Sequence, residues 1–199
     1  ATHGGVTKEN AHPHPSTSTE FVVVHNGIIS NYMQLREELQ KSGITFVSDT
    51  DTEVISHLLE QKYRQLGEIE VAFVETLHTL EGSFALAVMS IHDRDRLYCA
   101  KQDSPLILGI GEGRNFIGSD INAFLEYTRN TIIMDDGEYA IVSQHHYEVK
   151  KQHNQHVVQK KQMIIEWDVE TTRKGGFHHY MLKEIFDEPA TITQALKVP

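Results

Sequence analysis

Cysteine and tryptophan are almost absent from this 199-residue sequence, which has one of each. A single cysteine, Cys99, excludes an internal disulfide and favours a reducing compartment, so we expect a cytoplasmic protein. No stretch approaches 18 consecutive apolar residues, which excludes a membrane-spanning helix, and residues 1–10 lack the apolar centre of a signal peptide. Basic residues are also scarce: 18 Lys and Arg against 28 Asp and Glu give a net charge of −10, which argues against nucleic acid as a partner.

What is present indicates one α+β domain. Apolar residues recur at helical spacing in four segments, at residues 31–42, 50–67, 68–81 and 179–186. Short apolar or β-branched runs predict strands at residues 21–24, 45–47, 84–89, 96–100, 106–110, 115–118, 131–134, 139–142 and 147–150. Helices grouped early and many short strands favour two packed sheets covered by helices over a parallel doubly wound sheet.

The dipeptide Asn26-Gly27 has two interpretations. It lies between the apolar runs at residues 21–24 and 28–29, and Asn-Gly in that setting is a strong β-hairpin signal. The alternative is an oxyanion hole, in which the Asn26 side-chain amide and the Gly27 N–H face a developing negative oxygen. Spacing alone does not decide between a turn and a catalytic element.

Asp51 has two interpretations as well. Thr50 and Glu53 have the spacing of a capping box, and an acid between them is stabilised by the positive end of a helix dipole. The functional interpretation is a carboxylate that binds a substrate ammonium group. Taken alone, the position favours the helix-capping role, because acids are common in the first turn of helices.

Three other features predict no site. Gly109, Gly111 and Gly113 lack the spacing of a dinucleotide-binding loop and precede an expected strand, so they indicate a hairpin. Cys99 lies in an apolar strand, where a cysteine is usually inert rather than nucleophilic. We expect no metal or cofactor, because the histidine pairs lack cysteine or carboxylate partners at metal-binding spacing; these pairs are His12/His14, His145/His146, His153/His156 and His178/His179.

Taken together, the motifs resemble the glutaminase domain of the glutamine–fructose-6-phosphate aminotransferase family. Three of them match its glutamine-binding elements: Ala1-Thr2-His3-Gly4, His25-Asn26-Gly27 and Ser48-Asp49-Thr50-Asp51-Thr52-Glu53. The segment at residues 179–186 separates this family from other class II amidotransferases. The likeness follows nearly the whole chain in order and is weakest at residues 144–175.

The resemblance implies an N-terminal-nucleophile hydrolase fold, a four-layer α-β-β-α sandwich. It implies an amidotransferase domain at residues 1–186, then at 187–199 the start of a linker to a sugar-isomerase domain through which the protein would form a homo-oligomer. Asn26 and Gly27 would form the oxyanion hole, and Asp51 would hold the α-ammonium of L-glutamine. Further pocket-lining residues would be Thr2, His3 and His12. The ammonia would go to fructose 6-phosphate, giving glucosamine 6-phosphate and glutamate.

The sequence departs from the family in two residues. The family's nucleophile is a cysteine at the mature N-terminus, and an arginine that precedes the Ala1-Thr2-His3-Gly4 motif binds the glutamine carboxylate; the sequence lacks both. We therefore expect a sandwich incomplete at its N-terminus and a chain that is inactive by itself. Thr2 is a poor substitute nucleophile, because no activating amine is adjacent to it. Three alternatives stay open: part of a bifunctional aminotransferase, a stand-alone glutaminase-like subunit, and a catalytically inactive glutamine-binding or regulatory module.

Overall fold

A computed structural model describes residues 4–166 and 176–196 of the chain. These residues form four α-helices, namely α1 (Tyr32–Lys41), α2 (Glu53–Leu66), α3 (Ile69–Thr79) and α4 (Tyr180–Ala195). They also form ten strands, namely β1 (His14–Pro15), β2 (Phe21–Ile29), β3 (Gly82–Ser90), β4 (Asp93–Gln102), β5 (Ile107–Gly111), β6 (Arg114–Gly118), β7 (Asn130–Ile133), β8 (Glu138–Ser143), β9 (Tyr147–Lys151) and β10 (Met163–Ile164). None of the helices in these ranges is long and apolar enough to cross a membrane.

The strands form two antiparallel sheets. One has six strands in the order β1-β2-β3-β4-β8-β9, and the other has four in the order β10-β7-β5-β6. Helices α1 to α3 contribute to an apolar core on one face of the six-stranded sheet, and a second core lies between the two sheets. A short 3-10 turn at Ile121–Ala123, with Phe124 and Leu125, covers the outer face of the four-stranded sheet. The predicted α+β sandwich is confirmed.

Strand β3 shows how the sequence pattern produces these layers. Its residues Phe84, Leu86 and Val88 pack into the helix-covered core, while Ala85 and Ala87 face the core between the sheets. Apolar residues on both faces of a strand are what a continuous apolar run predicts. The central position of β3, between β2 and β4, follows from this pattern.

The hairpin interpretation of Asn26-Gly27 is wrong, because β2 continues straight through both residues. Asn26 pairs with Ala85 and Gly27 with Phe84 in an unbroken register with β3. Glycine is needed here for close approach rather than for a turn. Gly27 has φ +138°, and a Cβ atom added there would lie 2.1 Å from the Ser83 carbonyl oxygen.

The predicted capping box of Thr50 and Glu53 is also wrong, as is the predicted strand at residues 45–47. Both errors have the same cause. Helix α2 begins at Glu53, and its N-cap residue Thr52 makes no side-chain capping hydrogen bond. The Glu53 carboxylate instead accepts hydrogen bonds from the backbone N–H groups of Val47, at 2.8 Å, and Ser48, at 2.6 Å. The Glu53 side chain therefore accepts the hydrogen bonds of the Val47 and Ser48 N–H groups. The predicted strand would have paired this segment with a neighbouring strand instead.

Helix α4 is longer than predicted. It begins at Tyr180 and continues past Phe186 to Ala195, through Pro189. The first part of the segment predicted to be a linker is therefore helical. The boundary between the amidotransferase domain and a linker at residue 187 stays a prediction.

Three apolar side chains of the six-stranded sheet are exposed on the face directed toward the second sheet. They are Val24 at 44%, Ile28 at 45% and Met89 at 56% of their maximal exposure. Their neighbours Ala85 and Ala87 on the same face belong to the core between the sheets. Within the described residues, the four-stranded sheet thus covers this face only in part.

Candidate active site

The candidate site is built on the edge of β2 that faces away from β3. In antiparallel ladders, successive residues direct their N–H and C=O groups alternately to the two neighbouring strands. Ser30 donates its N–H to Glu81 at 2.8 Å, so the even-numbered residues bond on the β3 side. The odd-numbered residues His25, Gly27 and Ile29 therefore direct their backbone groups to the opposite edge.

The two halves of that edge have different partners. In the first half, Ser16 donates its N–H to the Phe21 carbonyl at 2.8 Å, and His14 of β1 pairs with Val23. In the second half, the Ile29 N–H donates to the Asp51 carboxylate at 2.8 Å. We call the second half, residues 25–29, the open edge. The alternation directs the Gly27 N–H to the side of β2 on which Asp51 lies.

Asp51 belongs to the turn that precedes α2 and is only 4% exposed. Asn10 holds this turn from outside: its Oδ1 accepts the Asp49 N–H at 2.9 Å, and its Nδ2 donates to the Gly5 carbonyl at 2.9 Å. Gly4 lies so close to Asn10 that an added Cβ would be 2.4 Å from its Nδ2. One asparagine thus connects the Gly4–Gly5 loop to the Asp51 turn.

The Glu53 carboxylate also fixes the turn that contains Asp51. Burial alone would raise the pKa of its carboxyl group, but hydrogen bonds from His57, from the Ser48 hydroxyl and from two backbone N–H groups outweigh burial and lower this pKa to about 2. The carboxylate is 4% exposed. It is therefore a permanent anion at neutral pH and a rigid support for the residues around Asp51.

A cavity of about 370 Å³ lies between the open edge and the Asp51 turn. Its lining consists of His12, His25, Asn26, Gly27, Thr50, Asp51 and Thr52. This volume lies within the range of small-molecule binding sites. Four of the six residues predicted from the sequence thus meet at one cavity, namely His12, Asn26, Gly27 and Asp51. The other two, Thr2 and His3, lie outside the described residues.

The electrostatics of the cavity favour a bound cation. Burial lowers the pKa of His12, His14 and His25 below the usual 6.5, and Asp51 opposes this shift in each case. The three imidazoles are therefore mainly neutral near pH 7 and do not cancel the Asp51 charge. An ammonium group beside Asp51 would meet a buried carboxylate with no competing cation among these rings.

The Asn26 side chain is exposed and lines the cavity. Among the residues that the structure describes, none hydrogen-bonds its amide group. The amide NH₂ and the Gly27 N–H are neighbouring donors on one wall, and the Asp51 carboxylate is on the facing wall. Such an arrangement can bind a molecule that carries an oxygen acceptor at one end and an ammonium group at the other.

Cys99 is far from this chemistry. It is fully buried between the sheets, and burial raises the pKa of its thiol to about 12. A neutral, inaccessible thiol is not a nucleophile. The described ranges also contain no cluster of three or more His, Cys, Asp or Glu side chains that could hold a metal ion.

Sequence reasoning missed the supporting residues around the cavity. The sequence predicts no role for Asn10, and it predicts a helix-capping role for Glu53. His25 stood inside a motif without being assigned. The spacing of Glu53 does not indicate that its carboxylate bonds the backbone N–H groups of residues 47 and 48 instead of capping the helix.

Comparison with known proteins identifies the family of this chain. A family model described as a glutamine amidotransferase domain matches residues 5–126. A relative from Aquifex aeolicus, named glutamine–fructose-6-phosphate aminotransferase (isomerizing), is 49% identical over 197 residues, covering 99% of this chain and 33% of that protein. A relative of the same name from Pyrococcus horikoshii is 50% identical over 196 residues, covering 98% and 33%. The chain thus spans about a third of the length of these relatives.

Solved structures share the fold at lower identity. A glutamine phosphoribosylpyrophosphate amidotransferase from B. subtilis, complexed with ADP and GMP, superposes with a TM-score of 0.61 at 23% identity, over 74% of this chain and 33% of that one. A structure titled as the allosteric regulatory enzyme of purine biosynthesis gives 0.62 at 24% identity, over 75% and 32%. These neighbours support the N-terminal-nucleophile sandwich.

Proposed function

This chain belongs to the glutamine amidotransferase family, and we propose that it forms the glutamine-binding part of a glutaminase in glucosamine 6-phosphate synthesis. The observation that carries the proposal is the shared cavity. Two hydrogen-bond donors, on Asn26 and Gly27, lie on one wall, and the buried Asp51 carboxylate lies on the other. L-Glutamine carries matching groups, a side-chain amide oxygen at one end and an α-ammonium at the other.

The proposed reaction is thiol-dependent amide hydrolysis. A thiolate attacks the side-chain carbonyl carbon, and the negative charge moves to the oxygen that faces Asn26 and Gly27. The C–N bond then breaks, the departing nitrogen takes up the proton that the thiol gave up and leaves as ammonia, and water hydrolyses the thioester to glutamate and the free thiol. Each preorganised donor in such an oxyanion hole contributes about 100- to 1,000-fold to the rate.

The thiol is assigned to a residue other than Cys99. That cysteine is buried in the core between the sheets, and burial holds its pKa near 12. The resemblance of the motifs implies a cysteine at the mature N-terminus as the nucleophile. These 199 residues then supply the oxyanion donors and the ammonium site, while the attacking group comes from elsewhere in the full-length gene product.

Asp51 is proposed to select free glutamine. A buried carboxylate gains most from a full positive charge at hydrogen-bonding distance. Acylation of the α-amine removes that charge and adds bulk at the same place. N-acetyl-L-glutamine and peptide-linked glutamine are therefore expected to be poor substrates.

The first test compares Asp51→Asn with Glu60→Gln in the full-length gene product. Glu60 is a matched control: its carboxylate is also 4% exposed on α2, but it accepts the Ser18 N–H and pairs with Arg64 outside the cavity. We expect Asp51→Asn to reduce kcat/KM for L-glutamine by about 100-fold, as when a buried charge pair loses one member. Glu60→Gln should retain the wild-type value.

N-acetyl-L-glutamine sharpens this test. Asp51→Asn should leave its slow turnover unchanged, because that compound has no ammonium group to lose. Equal losses of kcat/KM for L-glutamine and N-acetyl-L-glutamine would show that Asp51 does not bind the ammonium group. Glutamine binding by calorimetry without ammonia release from the wild-type protein would support the alternative of an inactive binding or regulatory module.

The acceptor and partners are a further part of the proposal. The relatives named aminotransferases are about three times as long as this chain, which leaves room for a sugar-isomerase domain. We expect the gene product to convert fructose 6-phosphate and glutamine to glucosamine 6-phosphate and glutamate, and to assemble as a homo-oligomer through that domain. Formation of glucosamine 6-phosphate, followed by mass spectrometry, tests the acceptor, and light scattering tests the assembly.

A further inference from the structure

His25 joins the two walls of the candidate site. Its ring belongs to β2, directly before Asn26, and is 8% exposed. Its Nδ1 lies 3.0 Å from the Thr52 hydroxyl, at the start of α2. The second connection between the same walls is the Ile29 N–H bond to Asp51. These two links bracket Asn26-Gly27 along the strand.

The other ring nitrogen of His25 makes no such bond. Its Nε2 is the one buried side-chain nitrogen or oxygen, within residues 4–166 and 176–196, that lacks a hydrogen-bond partner. The Ser83 backbone offers the ring only a weak hydrogen-bonding interaction, which raises the pKa of His25 against the larger lowering by burial. A buried nitrogen without a good partner destabilises the fold. The well-formed bond that the structure gives this imidazole is the one from Nδ1 to Thr52.

We propose that His25 is a positioning residue, whose Nδ1–Thr52 hydrogen bond sets the separation between the oxyanion donors on β2 and Asp51. This inference rests on the proposed glutaminase function. Glutamine must reach both groups at once, because its amide oxygen and its ammonium group lie at opposite ends of one molecule. A small change in the distance between the walls therefore weakens both contacts together.

Two substitutions of His25 distinguish the roles of its two ring nitrogens. The amide of asparagine places a polar atom near the position of Nδ1, and the longer glutamine places one near Nε2. In the full-length gene product, His25→Asn should retain most of the wild-type activity. His25→Gln should raise KM for L-glutamine by about tenfold, because it cannot bond Thr52 without moving the strand.

Thr52 supplies the partner half of the experiment. Thr52→Val keeps the volume but removes the hydroxyl, and it should raise KM by the same factor as His25→Gln. The double variant should be no worse than either single one, since both remove one bond. Thr76→Val is the control: Thr76 is also a buried threonine, but its hydroxyl bonds the Ala72 carbonyl inside α3, away from the cavity. It should leave KM unchanged.

Three results would overturn the inference. Additive losses in the double variant would show that His25 and Thr52 act separately. Equal losses in His25→Asn and His25→Gln would show that Nδ1 has no special role. A lower melting temperature with unchanged KM in Thr52→Val would show a purely structural bond.

Failure of the proposed function is distinguishable from failure of this inference. A wild-type protein that neither binds nor hydrolyses glutamine refutes the proposed function. The hydrogen bond itself is then tested by the ¹⁵N resonance of His25 Nδ1. That resonance should shift in Thr52→Val and stay close to its wild-type position in Thr52→Ser. An unchanged resonance in both would contradict the bond.

Discussion

The two halves of β2 share one neighbour and differ in the other. Along its whole length the strand pairs with β3 in one register, from Phe21 opposite Ser90 to Ile29 opposite Gly82. On the far edge, β1 and Ser16 satisfy the backbone of the first half, while the second half meets the Asp51 side chain and a cavity. The same strand is thus bordered by backbone on this edge in its first half and by a side chain and a cavity in its second half.

The comparison shows how a sheet can present backbone donors to a ligand. A strand edge with free N–H groups normally invites another strand. Here a buried carboxylate satisfies one of them, and the short β1 stops before the others. The remaining donor on Gly27 is then available to a substrate oxygen without opening the sheet.

Gly27→Ala should destabilise the second half of β2 more than any other substitution considered. The new Cβ would collide with the Ser83 carbonyl, and φ +138° is unfavourable for any residue with a side chain. We expect a loss of about 3 kcal/mol or more, with little folded protein recovered. Val22→Ala, a half-buried position in the first half, should cost about 1 kcal/mol. Scanning calorimetry of the full-length gene product compares the two, and equal melting temperatures would contradict the close approach.

Asn26→Ala should separate chemistry from folding in the same half. The side chain is exposed and not bonded to described residues, so the protein should fold normally. The kcat for glutamine should fall by about 100- to 1,000-fold, with KM changed much less, because the proposed role of the amide is to stabilise the developing oxyanion. Steady-state ammonia release measures both constants. A rise in KM alone would instead assign Asn26 to ground-state binding.

Lowering the pH should loosen the support of the open edge. The Glu53 pKa falls from 4.5 to about 2 on folding, so its carboxylate stabilises the fold fully above pH 4.5 and loses that effect as the pH falls toward 2. Between pH 5 and pH 3 the expected loss is about 2 kcal/mol from this group. Urea unfolding of wild type and Glu53→Gln across that range measures it. Parallel pH profiles for the two proteins would contradict the assignment.

Cys99→Ala should have the smallest effect. The thiol is buried in the core between the sheets, away from both halves of β2. Removing one buried sulfur should cost about 1 kcal/mol of stability and leave kcat for glutamine unchanged. Loss of ammonia release in this variant, with the fold intact by circular dichroism, would make Cys99 a participant in the reaction.

Much of the fold is predictable from the sequence, because its signals are local. The stop of α2 at Gly67 follows from a left-handed glycine after an apolar periodic run, and β3 follows from its continuous apolar residues. Asn26-Gly27 fails as a hairpin because pairing with β3, more than fifty residues away, outweighs the local turn preference. Glu53 fails as a cap for a different reason, because its carboxylate bonds the nearby backbone N–H groups of Val47 and Ser48 in the loop before the helix.

The sequence predicts which residues line the site better than it predicts the contacts that hold them in place. The family resemblance implies His12, Asn26, Gly27 and Asp51, and the fold brings these residues to one cavity. Nothing in the sequence indicates that Asn10 holds the Asp51 turn or that His25 bonds Thr52. These contacts depend on which segments meet in three dimensions, and neither spacing nor composition encodes that directly.

A crystal structure of the full-length gene product with L-glutamate, the product of the proposed hydrolysis, tests the central claim most directly. The account predicts that the α-ammonium lies within hydrogen-bonding distance of the Asp51 carboxylate. The side-chain carboxylate should accept hydrogen bonds from Asn26 and the Gly27 N–H. Glutamate bound elsewhere, with the cavity between β2 and α2 empty, would contradict it.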